Sequence, residues 1–192
     1  MIRRSAALAV LALALAGCAK EASPAASHEC ACAGEPVVDP ALLAFLSKAR
    51  AAHHEADIAE DQGDQARAVT ALEALIRGPR PKPSSGTMAP EAAEVLADTL
   101  ARLADLRSKA GDYTAAQRDV DQGLELASRP THFRGHLFEI AGVVHERRAK
   151  ALEAAGDKAG AADAKARAIE SFETAIKIQD RVIDHALDGG GG

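Results

Sequence analysis

The chain has 192 residues, of which 47% are hydrophobic and only 3% aromatic, with no Trp and a formal net charge of −5. That is enough apolar material for one compact domain, drawn mostly from Ala and Leu, so the core is modest and suits closely approached helices. The acidic balance and scarce aromatics argue against nucleic-acid binding, which needs basic grooves and stacking platforms.

The N-terminus carries an address. Arg3 and Arg4 precede an apolar run, Ala6 to Ala16, of signal-peptide length and too short to span a bilayer. The run ends in Leu15-Ala16-Gly17-Cys18, which resembles a bacterial lipobox. The resemblance implies a diacylglycerol on the Cys18 thiol, cleavage after Gly17 and acylation of the new amino group. Residues 1–17 are then the signal peptide. The mature chain keeps 21 Lys and Arg (23 less Arg3 and Arg4) against 28 Asp and Glu, a net charge of −7. Stable anchoring follows from two or more acyl chains, each buried methylene contributing about 0.8 kcal/mol. Ala19 rather than Asp follows the cysteine, which in enteric bacteria implies the outer membrane, facing the periplasm. The negative charge opposes a second, electrostatic attachment to anionic lipid.

Residues 18–38 read as a flexible tether, rich in Ala, Ser, Pro and Glu and without periodicity. Asp39-Pro40 reads as an N-cap and first helical residue. The first helix then carries Leu42, Leu43, Phe45, Leu46, Ala49, Ala56 and Ile58 on its apolar face towards Gly63. A second helix is expected from Asp64 to about Arg77, with Val69, Leu72, Leu75 and Ile76 inward. Pro79, Pro81 and Pro83 exclude helix, so 78–89 is a loop or linker.

The third helix starts at Pro90-Glu91 and presents Val95, Leu96, Thr99, Leu100, Leu103 and Leu106 inward. Glu94 and Asp98 with Arg102 read as an ordinary solvated face of this helix. The fourth follows Asp112 and fades near Ser128, with Ala116, Val120 and Leu124 on one stripe. Pro130 opens the fifth, whose Phe133, Leu137, Phe138, Ile140, Val143 and Val144 make it nearly apolar all round and the most buried. The sixth runs from Asp157 to about Leu187, with Ile169, Phe172, Ile176, Ile178, Val182 and Ile183 as a stripe capping the bundle end. Residues 189–192 form a disordered Gly tail.

Three turns punctuate this pattern: Gly63-Asp64, Gly111-Asp112 and Gly156-Asp157. Gly tolerates the left-handed conformation that ends a helix, and Asp accepts a hydrogen bond from the N–H groups that open the next. So short a connection makes its flanking helices antiparallel neighbours. The expectation is an all-α chain of three antiparallel hairpins, six helices, over residues 39–188.

Gly111-Asp112-Tyr113 with Ala116, Val120, Gly123-Leu124 and Pro130 resembles the second half of a tetratricopeptide repeat (TPR). Gly63-Asp64 with Ala68, Leu72, Leu75 and Pro79 is similar. Gly156-Asp157 with Ala161 and Ala168 is looser, because Lys165 takes the bulky position. The turn glycines are 48 and 45 residues apart by subtraction, against about 34 in that family. The aromatic and Leu-Gly positions usual in the first helix of a unit are not clearly present. The hairpins stack as a TPR-like array or as a plain six-helix bundle. The resemblance implies a non-catalytic protein–protein interaction module, with partners among envelope assembly components such as an outer-membrane or pilus machine. It also implies contacts from the first helix of each unit: His54 and Asp57, Asp98 and Arg102, His136 and Arg147.

Two other constellations carry metal-binding residue types. His28, Cys30 and Cys32 lie in the tether, and thiolate with imidazole suits copper(I) or zinc. The spacing is too tight for a two-apart cysteine knuckle. A disulfide between residues only two apart is strained and easily reduced, and pairing between molecules or incidental cysteines are the other readings. His132, His136 and Glu139 share neighbouring helix faces, with His145, His53, His54, Asp57 and Glu60 as further donors; surface histidines near a helix start are the plainer reading. No nucleophile elbow, Walker loop, dinucleotide fingerprint or His-Glu-x-x-His occurs, so no catalytic residue is expected.

Overall fold

The computed structural model describes residues 39–81 and 88–189, all within the unit Pro36–Gly192. It is all-helical over these residues: α1 (Pro40–Asp61), α2 (Gln65–Arg77), α3 (Pro90–Lys109), α4 (Tyr113–Leu126), α5 (His132–Ala154) and α6 (Lys158–Asp188). None is long and apolar enough to cross a membrane.

The three Gly-Asp turns are built alike. Gly63, Gly111 and Gly156 have φ of +74°, +83° and +82°. At the middle turn Gly111 N–H donates to Ser108 C=O (3.1 Å) and Asp112 N–H to Arg107 C=O (2.9 Å), which satisfies carbonyls that the end of α3 leaves open. The Asp112 carboxylate then accepts from Ala115 N–H at 2.9 Å and opens α4. Asp64 and Asp157 cap α2 and α6 in the same way, at Arg67 N–H (3.0 Å) and Gly160 N–H (2.9 Å). One aspartate therefore closes one helix with its backbone and starts the next with its side chain. Of the other three starts, Asp39 caps α1, Thr131 caps α5, and Pro90 opens α3 without a side-chain cap.

The hairpins α1·α2, α3·α4 and α5·α6 follow each other in one direction. α3 lies against both α1 and α2, and α5 lies against both α3 and α4, whereas α6 touches α5 alone. The even-numbered helices do not touch one another. This is an open array rather than a closed bundle, drawn together on its odd-helix side.

α3 is the central and most buried element. Leu96, Leu100, Leu103 and Leu106 are at most 2% exposed. They face Phe45, Ala49, Ala56, Ala59, Leu72 and Leu75 of the first hairpin. On its other side Ala97, Ala101 and Ala104 let α5 approach, with Leu137, Ala141 and Val144 in contact. Gly123 admits the same helix, because a Cβ there would stand 2.5 Å from Leu137 Cδ2.

Four expectations need correction. α5 is not the most buried helix, because among the described residues nothing covers its His132, Glu139 and Glu146 edge. α5 begins at His132 rather than Pro130, with Thr131 Oγ1 as its cap acceptor. The stripe expected to cap the bundle is split: Ile178 is buried and Phe172 and Val182 half-buried, but Ile169, Ile176 and Ile183 are 60%, 60% and 54% exposed. On α1, Leu43 and Ile58 likewise face outward.

Candidate partner-binding groove

The odd helices carry a repeated polar tie. Arg102 of α3 reaches back to α1, where it donates to Asp57 at 2.7 Å, to the Glu60 carboxylate and to the His53 carbonyl at 3.2 Å. Arg147 of α5 reaches back to α3, where it donates to Asp105 Oδ1 at 2.7 Å, to the Asp105 carbonyl at 3.2 Å and to Ser108 Oγ at 2.5 Å. The two ties are one device at successive positions. Asp57 and Asp105 are 48 residues apart, and Arg102 and Arg147 are 45 apart, the same intervals as the turn glycines. His54 occupies the corresponding register on α1, 48 before Arg102.

This changes the reading of Arg102 and its helix neighbours. The arginine does not answer Glu94 or Asp98 on a solvated face; its partners lie on α1, and its side chain is 23% exposed. The reason is that an arginine fork gains more from two carboxylates and a carbonyl together than from a single i,i+4 neighbour. Arg102 and Arg147 are thus inter-helix struts, whereas among the described residues His54, Arg50, Asp98 and His136 make no hydrogen bond between helices.

His53 belongs to the same seam. Thr99 Oγ1 donates to the Val95 carbonyl at 2.7 Å, so at 2.9 Å it accepts from His53 Nε2–H, which fixes the tautomer. Burial pushes the His53 pKa down, with Arg102 adding to that and Asp98 and Asp57 opposing it. In Asp105 burial alone would raise the carboxyl, but hydrogen bonds from Lys109 and Arg147 outweigh it and hold the pKa below the usual range. Ser47, Arg50, Ala51, His53, His54 and Asp57 line a shallow hollow at the α1 end of this face.

On the even-helix side Arg107 joins three helices. It donates to both oxygens of Asp119 on α4 (2.7 and 2.6 Å) and to Glu73 on α2. Sequence reading missed this cluster. Its one signal was a charged residue, Asp119, beside Val120 on the buried side of α4, where it is 7% exposed.

Compared with family models, with curated proteins and with solved structures, the chain matches none.

The helical metal candidates do not converge. His132 and His136 stack with ring centroids 6.4 Å apart and planes 7° from parallel, and His136 Nδ1 lies 3.3 Å from Glu139 Oε2. Among the described residues no group of three His, Cys, Asp or Glu side chains is placed to hold a metal ion. His145 is buried with its Nδ1 unpaired, and burial, then the nearby Arg167 and Arg148, lowers its pKa. Cys18, His28, Cys30 and Cys32 lie outside the described residues.

Proposed function

We propose that this protein is a lipid-anchored, non-catalytic adaptor of the bacterial cell envelope, in which a TPR-like array offers its odd-helix face to a protein or peptide. The observation that carries the reading is the packing pattern: successive odd helices touch while even helices do not, so α1, α3 and α5 line the inner side of an open curve. An inner face tied internally by Arg102 and Arg147 is held in shape before a partner arrives, which lowers the ordering cost of binding. The lipobox-like Leu15 to Cys18 supports an array held at a membrane surface, by our reading the periplasmic face of the outer membrane.

The test is cross-linking in cells of the anchored protein, followed by mass spectrometry, in wild type and in His54→Asp with His136→Asp. These two histidines face outward without tying helices together, so the variant tests recognition rather than folding. One dominant envelope partner that disappears in the variant supports the adaptor; partners unchanged by it refute the groove. The motif His28, Cys30 and Cys32 favours a second reading, copper(I) or zinc handling by the tether. Near-stoichiometric metal binding lost in Cys30→Ser with Cys32→Ser would support it, and binding unchanged in that variant would end it.

A further inference from the structure

Among the described residues four arginines are half-buried: Arg102, Arg107, Arg134 and Arg147. Three of them meet carboxylates: Arg102 those of Asp57 and Glu60, Arg107 those of Glu73 and Asp119, and Arg147 that of Asp105. Arg134 meets carbonyls instead. Its Nη1 donates to Leu124 C=O at 3.1 Å and to Ala127 C=O at 2.7 Å, which caps the end of α4, and its Cζ lies 5.3 Å from the centre of the Phe138 ring. These contacts fix the guanidinium without neutralising it. Among the described residues they leave its Nε and Nη2 donors without an acceptor. Because this charge is partly withdrawn from water, an anion beside it is held more strongly than at an exposed arginine.

The surroundings of Arg134 are cationic. A hollow of about 360 Å³ between α5, α6 and the loop after α4 is lined by Arg134, Lys177 and Arg181, and among the described residues by no carboxylate. The ion pairs of α6 lie near its start, Lys165 with Glu153 and Arg167 with Asp163. Lys177 and Arg181 form none among the described residues, although Glu173, Asp180 and Asp184 are near in sequence. At about 3.6 residues per turn those three acids fall further round the helix, beyond Lys177.

This hollow runs on into an apolar one, since Pro130 and Arg181 line both. The second, of about 430 Å³, has Phe133 and Val182 on its walls together with His132 and His185. Glu94 is its one lining carboxylate, which repels an anion there and directs a charged head towards Arg134. Its size is that of a small-molecule site and suits one short chain rather than the two of a bilayer lipid. None of Arg102, Arg147, His54 or Asp98 lines either hollow.

We infer that the joined hollows bind a free, single-chain amphiphile, with its phosphate or carboxylate head among Arg134, Lys177 and Arg181 and its apolar body against Phe133 and Val182.

The test titrates hexyl phosphate into the full-length Cys18→Ser chain, which cannot be acylated at residue 18, by isothermal calorimetry. Inorganic phosphate and hexanol serve as the head-only and tail-only probes. The expected result is one site per chain, with hexyl phosphate bound on the order of tenfold tighter than either probe because both hollows contribute. Lys177→Gln with Arg181→Gln, at two exposed positions, weakens it on the order of tenfold with circular dichroism unchanged, and Val182→Asn brings it down towards inorganic phosphate. No binding, or equal affinity for hexyl phosphate and one of the single-part probes, overturns the inference. So does affinity unchanged in the Lys177/Arg181 variant, or an equal loss in Lys165→Gln with Arg167→Gln, cations of the same helix outside both hollows. Flotation of the chain with phosphatidylcholine–phosphatidylglycerol vesicles, lost in the Lys177/Arg181 variant, also overturns it, because these cations would then serve a bilayer surface.

Discussion

Replacing Gly111 by Ala isolates the turn from everything packed around it. At φ +83° an L-residue is in the left-handed region, which costs about 1–2 kcal/mol. A Cβ built there meets no heavy atom within 4 Å, so packing neither adds to nor subtracts from that strain. The unfolded chain gains stiffness from Ala, which returns about 0.4–1 kcal/mol. The net loss is on the order of 1 kcal/mol, which for a domain of this size lowers the melting temperature by roughly 2–4 °C. Gly111→Asn should lose less, because Asn tolerates the left-handed region through its local hydrogen bonds. The assay is urea and thermal unfolding of the three proteins followed by far-ultraviolet circular dichroism. Ala as stable as Gly, or Asn worse than Ala, would refute the assignment of Gly111 as a backbone-determined helix stop.

Other perturbations read other links. Arg107→Ala strands the 9%-exposed side chain of Asp119, while Glu73 keeps Arg77 at 2.6 Å, and should cost about 2–3 kcal/mol in a urea titration, between surface and fully buried pairs. Arg147→Ala, at a tie about a quarter exposed on each side, should cost less, about 1–2 kcal/mol; equal losses would mean burial does not rank these struts. The His53 and His145 pKa values lie below the ordinary 6.5. Folding is therefore opposed by protonating them, and the stability they contribute is full above about pH 6.5 and falls as pH drops through their lowered values. The urea midpoint should decline with acid in that window, and His53→Gln with His145→Gln should flatten the decline; an identical slope in the variant would assign the effect elsewhere. Cys18→Ser should move the protein from the membrane to the soluble fraction of a lysate, and retention would defeat the lipobox reading.

What was legible in advance was local. Gly63, Gly111 and Gly156 announce themselves because a helix stop and the following Asp cap act over three or four residues, and each backbone angle and capping bond appears where the dipeptide stands. The inward faces of α2 and α3 followed from 3.6-residue periodicity for the same reason. The α5 start was misplaced because Pro130 and Thr131 both carry start signals and only the backbone chose Thr131.

The partner of a side chain was not legible, because it depends on which helix arrives beside it. Arg102 looked solvated next to Asp98, four residues away, yet its ligands Asp57 and Glu60 are more than forty residues back in the sequence. The clue was present only as a repeat, Asp57 to Asp105 and Arg102 to Arg147 at the spacing of the turns. Ile169, Ile76 and Leu124 are alike in sequence register, but the first is exposed and the others half-covered. A chain states which residues are apolar and where its helices begin and end, since those follow from bonded neighbours. Whether an apolar residue is buried, and which charge an arginine meets, was decided by the order in which the hairpins stack.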